Sequence, residues 1–168
     1  MAYNIHPIIV HFPIALLVAY SVIKILPMRK WVPQVQWRDI EIALLVGGVL
    51  GAFASLSTGE SAEHLIRPDR QIVEMHAFFG SLSTWLYGLL LAGPVAELLV
   101  LRYGTRLPQV VTGLLSTVAR VCAYPFILWT LVVGGLVAIT VTGLLGGVMV
   151  YGSSADPLAP IVLRVLGL

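Results

Sequence analysis

Apolar and polar positions along this chain divide it into four long apolar stretches separated by short polar breaks. A helix needs about 20 apolar residues to cross the bilayer's hydrocarbon. That length places membrane spans at about residues 7–26, 40–58, 73–101 and 125–151. Pro7 suits a first helical turn, where its missing N–H costs nothing. Pro13 lies deeper and is expected to bend span one just beyond His11. Lys24, Pro27, Arg29, Lys30 and Trp31 close that span in a basic, aromatic rim. Residues 59–71 read as a polar connection between spans two and three. Small residues repeat at four-residue spacing in Gly47-x-x-x-Gly51, in Gly80, Thr84 and Gly88, and in Gly143-x-x-x-Gly147. Such faces let neighbouring helices approach closely.

A fifth pattern differs. Over about residues 108–122, Val110, Val111, Leu114, Val118 and Val121 fall on one helical side, and Gln109, Thr112, Ser116 and Arg120 on the other. That pattern predicts an amphipathic helix in the membrane interface rather than a further span. The fold class is therefore all-α: a four-transmembrane-helix bundle, with an interfacial amphipathic helix between spans three and four, forming one integral membrane domain over residues 1–168.

Composition agrees. Hydrophobic residues make up 58% of the chain and charged residues 11%, against about a quarter charged in soluble domains. The formal charge of +2 is small and scattered, which argues against nucleic acid as a partner. Cys122 is the single cysteine, so neither an internal disulfide nor a Cys-x-x-Cys-His haem attachment is expected. With no basic stretch before it and no cleavage site after it, span one is expected to be retained.

Charge also orients the bundle. Four spans return the chain to its starting side, which carries Arg67, Arg70 and Arg164. The other side carries Lys24, Arg29, Lys30, Arg38, Arg102, Arg106 and Arg120. Seven basic residues against three predict that the second side is cytoplasmic and that both termini lie outside, as in a multi-pass protein of the bacterial inner membrane.

That topology gathers the candidate chemistry. His6 and His11 open span one, His64 precedes span three, and His76 opens it, so all four belong to the outer, periplasmic half. An ionisable side chain on a membrane helix is costly and points to function. His6 and His11 are separated by about 7.5 Å of rise and about 140° of rotation, so they face different directions on a straight helix. Haem iron accepts imidazole at both axial positions, and bundle cores hold cofactors between facing helices. His11 and His76 are the first candidate pair for a haem b, with His6 and His64 the second. The small helix faces are expected to leave room for the macrocycle. Glu60, Glu63 and Glu74 are candidate acceptors for imidazole N–H groups, Glu60 and Glu74 foremost. Zinc, copper or non-haem iron is the alternative occupant. A weak internal repeat matches His11 to His76 and Thr58-Gly59 to Thr142-Gly143, suggesting two related hairpins.

The opening His6-Pro7-x-x-Val10-His11-Phe12-Pro13, with Thr58-Gly59-Glu60-x-Ala62-Glu63, Glu74-x-His76-x-x-x-Gly80 and Thr142-Gly143-x-x-Gly146-Gly147, resembles an uncharacterised bacterial four-helix membrane family. That family is known as a domain of unknown function, DUF2231. The resemblance covers nearly the whole chain. It departs at Leu144, where many members carry a histidine. Family members are joined to, or encoded beside, Rieske-type and c-type cytochrome domains, so the resemblance implies electron transfer, one or two haems, and His6, His11 and His76 as site residues. The expected function is a b-type cytochrome-like electron-transfer subunit rather than a stand-alone enzyme. Lipids and redox partners on the outer side are its expected partners, with a quinone as a further candidate. A non-haem metal protein and a non-redox scaffold subunit are the alternatives.

Overall fold

The computed structural model describes residues 5–66, 69–154 and 156–168, with the side chains of 60, 61 and 63–66 outside that description. Its helices are α1 (His6–Ile25), α2 (Met28–Trp31), α3 (Trp37–Ile66), α4 (Arg70–Tyr103), α5 (Gln109–Ala123), α6 (Pro125–Tyr151) and α7 (Ala159–Leu166). Four segments are long and apolar enough to cross a membrane: His6–Ile25, Trp37–Gly59, Arg70–Tyr103 and Pro125–Tyr151. No strand occurs among the described residues. In lipid every backbone N–H and C=O must be satisfied within its own segment, and helices do that.

The bundle is two hairpins. α1 packs chiefly on α3, α4 chiefly on α6, and the pairs meet through α3 with α4 and α1 with α6. Glycines set the close approaches. A Cβ added at Gly48 would come within 2.4 Å of Leu17 Cδ2, and one at Gly51 within 3.2 Å of Pro13. In the second hairpin a Cβ at Gly135 would come within 3.0 Å of the Tyr87 ring. The small face of α3 is thus filled by α1. Leu17, Tyr20, Leu45, Val49, Tyr87 and Val132 form the core around these contacts. Ser21 Oγ and Tyr87 OH, 2.7 Å apart and buried, join the hairpins. Tyr20 and Tyr87 meet edge to face.

The boundaries differ from the sequence pattern in instructive places. α3 does not stop at Thr58 but continues to Ile66, so most of the expected polar connection is helical. A single glycine lowers helix propensity by only about 1 kcal/mol, and the alanine and glutamates after it favour helix. α4 starts at Arg70, where the Asp69 carboxylate accepts from the Gln71 N–H at 2.9 Å and caps the helix. α1 runs through Pro13 without interruption, with Pro13 buried against α3. α6 has the expected limits and ends at Gly152, whose φ of 82° suits glycine. α5 occupies nearly the residues over which a helix is expected. It packs along the later part of α4, where Cys122 lies against Gly93 and donates to the Leu89 carbonyl. Val110, Leu114 and Val118 on its apolar side are exposed.

Gly48→Ala is expected to lower the thermal unfolding midpoint in detergent, by about 1–3 kcal/mol of stability, because Leu17 has nowhere to retreat. Leu17→Ala in the same chain should restore part of that loss, as coupled neighbours do. Gly147→Ala, whose Cβ would meet nothing within 4 Å, should be neutral or slightly stabilising.

Candidate functional site

Two polar regions lie at opposite ends of the bundle. At the end where α1 begins, His6 occupies the first turn of α1 and His76 the second turn of α4. His6 Nδ1 is 2.9 Å from Thr58 Oγ1, and the Ser55 backbone also hydrogen-bonds this ring. The Thr58 hydroxyl gives its own proton to the Ser55 carbonyl at 3.0 Å. With the hydroxyl proton on that carbonyl, the Thr58 lone pair faces His6 and Nδ1 is the donor in the matching tautomer. His76 Nδ1 is 2.9 Å from the Thr142 carbonyl. A carbonyl can only accept, so Nδ1 carries the proton here too. In the neutral imidazole the Nε2 of each ring then holds the lone pair. The two rings lie within electrostatic range of each other.

Glycines stand beside both rings. A Cβ at Gly59 would lie 3.6 Å from His6 Cε1, and one at Gly146 3.3 Å from His76 Cε1. At the same end a Cβ at Gly143 would meet nothing nearer than Ile14 Cδ1 at 4.0 Å, and one at Gly147 nothing within 4 Å.

The histidines thus sort differently from the expected pairs. His11 is exposed on the outside of the bundle, its Nδ1 bonded to the Pro7 carbonyl one turn back. The rotation between His6 and His11 explains this: with His6 turned inward toward α3, His11 faces lipid. His6, not His11, turns into the bundle at the end where His76 lies. The side chains of His64, Glu60 and Glu63 lie outside the described residues. Glu74 is exposed and pairs with Arg70 at 2.8 Å, one turn back, so helix oxygens rather than Glu74 support His76. Among the described residues no three His, Cys, Asp or Glu side chains come together as a metal-ion cage.

The correspondence between hairpins also shifts. Leu17 lies eleven residues beyond His6 and Tyr87 eleven beyond His76, each seated against a glycine. Those glycines, Gly48 and Gly135, each precede by seven residues the backbone group that meets the histidine, at Ser55 and Thr142. His6 corresponds to His76, and Ser55, not Thr58, to Thr142.

The opposite end holds a feature the span-by-span reading passed over. Glu41 in the first turns of α3 is only 6% exposed. Lys24 Nζ reaches its Oε2 at 2.6 Å, and Arg29 Nη2 lies 3.2 Å from both carboxylate oxygens. Arg38 pairs with Glu97 at 2.6 Å. The available signal was topological: a lysine ending one span and a glutamate opening the next must sit side by side in an antiparallel hairpin.

Compared with known proteins, residues 2–155 match a family described as a predicted membrane protein, DUF2231. No curated protein and no solved structure matches the chain.

Removing one partner from a buried ion pair strands the other charge, which costs about 3–5 kcal/mol when both are fully enclosed. Lys24 retains some solvent access, so Glu41→Ala should cost somewhat less. Glu97→Ala, whose side chain is 45% exposed, should cost under about 1 kcal/mol. Thermal unfolding of both variants in one detergent checks that ordering.

Proposed function

This chain belongs to the DUF2231 family of membrane proteins, and from that premise we propose that it is an electron-transfer subunit with a bis-histidine haem site at its outer end. The observation that carries this reading is the shared state of His6 and His76. They lie on α1 and α4 at one end of the bundle, and Nδ1 of each ring is hydrogen-bonded to an oxygen of the adjoining helix. That hydrogen bond fixes the tautomer and ring orientation in which Nε2 serves as a ligand. The donor set suits haem iron, which takes two neutral imidazoles. Open backbone at Gly143 and Gly147 lies at the same end. A haem bound there supplies a one-electron carrier. The protein's own residues hold the rings: Thr58 and Ser55 orient His6, and the Thr142 carbonyl orients His76.

The described histidine side chains all belong to one half of the bundle. By the seven-to-three division of basic residues, that half faces outward from a bacterial inner membrane. The opposite half carries no histidine, so one chain would relay electrons on one side rather than across the bilayer. A Rieske-type or c-type cytochrome, or a quinol, would be its partner there. α7 presents exposed Leu158, Ile161 and Val165 at the same end and is a suitable contact for such a partner. α5, with its exposed apolar side, would rest in the cytoplasmic interface.

Purified protein should show a low-spin b-type spectrum that His6→Ala or His76→Ala abolishes or turns high-spin. His11→Ala should leave it intact. Loss of the spectrum only in His11→Ala would overturn this ligand assignment. Stoichiometric zinc or copper without haem would replace the haem with a bare metal ion, and neither would leave the scaffold reading.

Membrane-impermeant thiol labelling of single introduced cysteines should place residue 153 outside and residue 105 inside. Burial pushes the Cys122 thiol up and reduces its thiolate, so the background should react slowly. Labelling of residue 105 from outside would invert the orientation.

A further inference from the structure

The end opposite the histidines contains two adjoining cavities, of about 240 and 250 Å³, between the end of α1, α2 and the start of α3, the first also bounded by α4 at Pro94 and Glu97. They share Lys24, Arg29 and Glu41. The first is also lined by Tyr20, Arg38 and Glu97, the second by Lys30. Four cations therefore face two carboxylates, and two positive charges remain when both carboxylates have been neutralised.

Donors remain as well as charge. Among the described residues Arg29 meets Glu41 through Nη2, and Arg38 meets Glu97 through Nη2. Each guanidinium carries five N–H donors in a planar fork, so each has an edge left for a second acceptor. Lys30 has no carboxylate in ion-pair range among the described residues. Glu41, fixed by Lys24 from the buried side, holds Arg29 at the rim without exhausting it. Phosphate oxygens match such forks, taking two parallel N–H bonds.

The surroundings distinguish an amphiphile from a free anion. Ile23, Leu26 and Pro27 form the wall of the second cavity. Val22, Ile25 and Leu26 continue as exposed apolar surface along α1. Exposed Trp31 lies beside the charges, and Trp37, anchored through Nε1 to the Val32 carbonyl at 2.8 Å, opens α3 at the same level. Tryptophans mark headgroup depth, and basic pockets between helices at that depth accept lipid headgroups.

We propose that this end of the bundle binds the phosphate of an anionic phospholipid through Arg29, Lys30 and Arg38, with the acyl chains lying along α1. The site requires neither a haem nor a particular orientation in the membrane. Phosphate from solution shares the headgroup chemistry, and the experiment separates the two sources.

The full-length protein in neutral detergent is titrated with phosphatidylglycerol, phosphatidylcholine or inorganic phosphate, with the thermal unfolding midpoint as readout. Phosphatidylglycerol should raise the midpoint saturably, while phosphatidylcholine and inorganic phosphate should not. Arg29→Gln with Arg38→Gln should weaken half-saturation about tenfold or more, the loss expected from about two charge-assisted contacts. Arg102→Gln with Arg106→Gln removes equal charge at the same end, outside the cavities, and should leave it unchanged. Arg29 and Arg38 are well exposed, and each variant's midpoint without lipid reports its folding. Native mass spectrometry of the unaltered protein should retain phosphatidylglycerol adducts in preference to phosphatidylcholine. Equal responses to both lipids, equal losses in both double variants, or a shift reproduced by inorganic phosphate at similar concentration would each overturn the proposal.

Discussion

Lipid tails are as apolar as leucine side chains, so burying apolar surface gives membrane helices little reason to associate. What remains is contact at close range. In this bundle the contacts that depend on closeness are Leu17 against Gly48 and Tyr87 against Gly135. They bring α1 to α3 and α4 to α6 at separations that an added methyl group would disturb. Everything at the two ends depends on them. His6 reaches Thr58, and His76 the Thr142 carbonyl, because the helices that carry their partners are held near enough upstream.

The same spacing in both hairpins gives the structure its internal logic. A histidine in the first or second turn, a large side chain eleven residues on, a glycine opposite that side chain, and a backbone acceptor seven residues past the glycine occur twice. Placing two such hairpins side by side puts two equivalent imidazoles at one end. The likeness stops at the other end. There the first hairpin carries Lys24 and Glu41, whereas α4 carries Pro94 and the partly exposed Glu97. The two hairpins share the spacing at one end and differ in chemistry at the other.

The span count, the limits of α6 and the placement of His6, His11 and His76 in one half of the bundle were legible in the sequence, because apolar length and topology are set by the bilayer itself. It did not reveal which histidine faced inward. That depends on rotation about the α1 axis, fixed by the seating of Pro13 and Leu17 on α3 glycines, and a rotation cannot be read from a span boundary. Extending α3 past Gly59 was hidden for a different reason: a glycine and polar residues look like a break, yet helix propensity carries through them. Glu41 was overlooked because one charge at a span end looks like an interfacial residue. Only pairing α1 antiparallel with α3 shows that Lys24 and Arg29 converge on it.

Between the two polar ends the interior is arranged to stay electrically quiet. The hydroxyls along α3, α4 and α6 turn back on their own helices: Ser55 to the Gly51 carbonyl, Ser83 and Thr84 to Gly80, Thr142 to Ala138. Each is satisfied locally, as lipid-buried polar groups must be. The side-chain hydrogen bond between helices deep in the core, Ser21 to Tyr87, lies toward the basic end, and Ser21 also donates to the Leu17 carbonyl. From Tyr87 back to His76 the described hydroxyls form no side-chain chain between helices. Protons therefore have no described side-chain relay linking the imidazole end to the Glu41 end. A centre held by His6 and His76 would exchange its charges with the side on which those histidines lie. The ion pairs at the other end are left to anchor the bundle in its membrane.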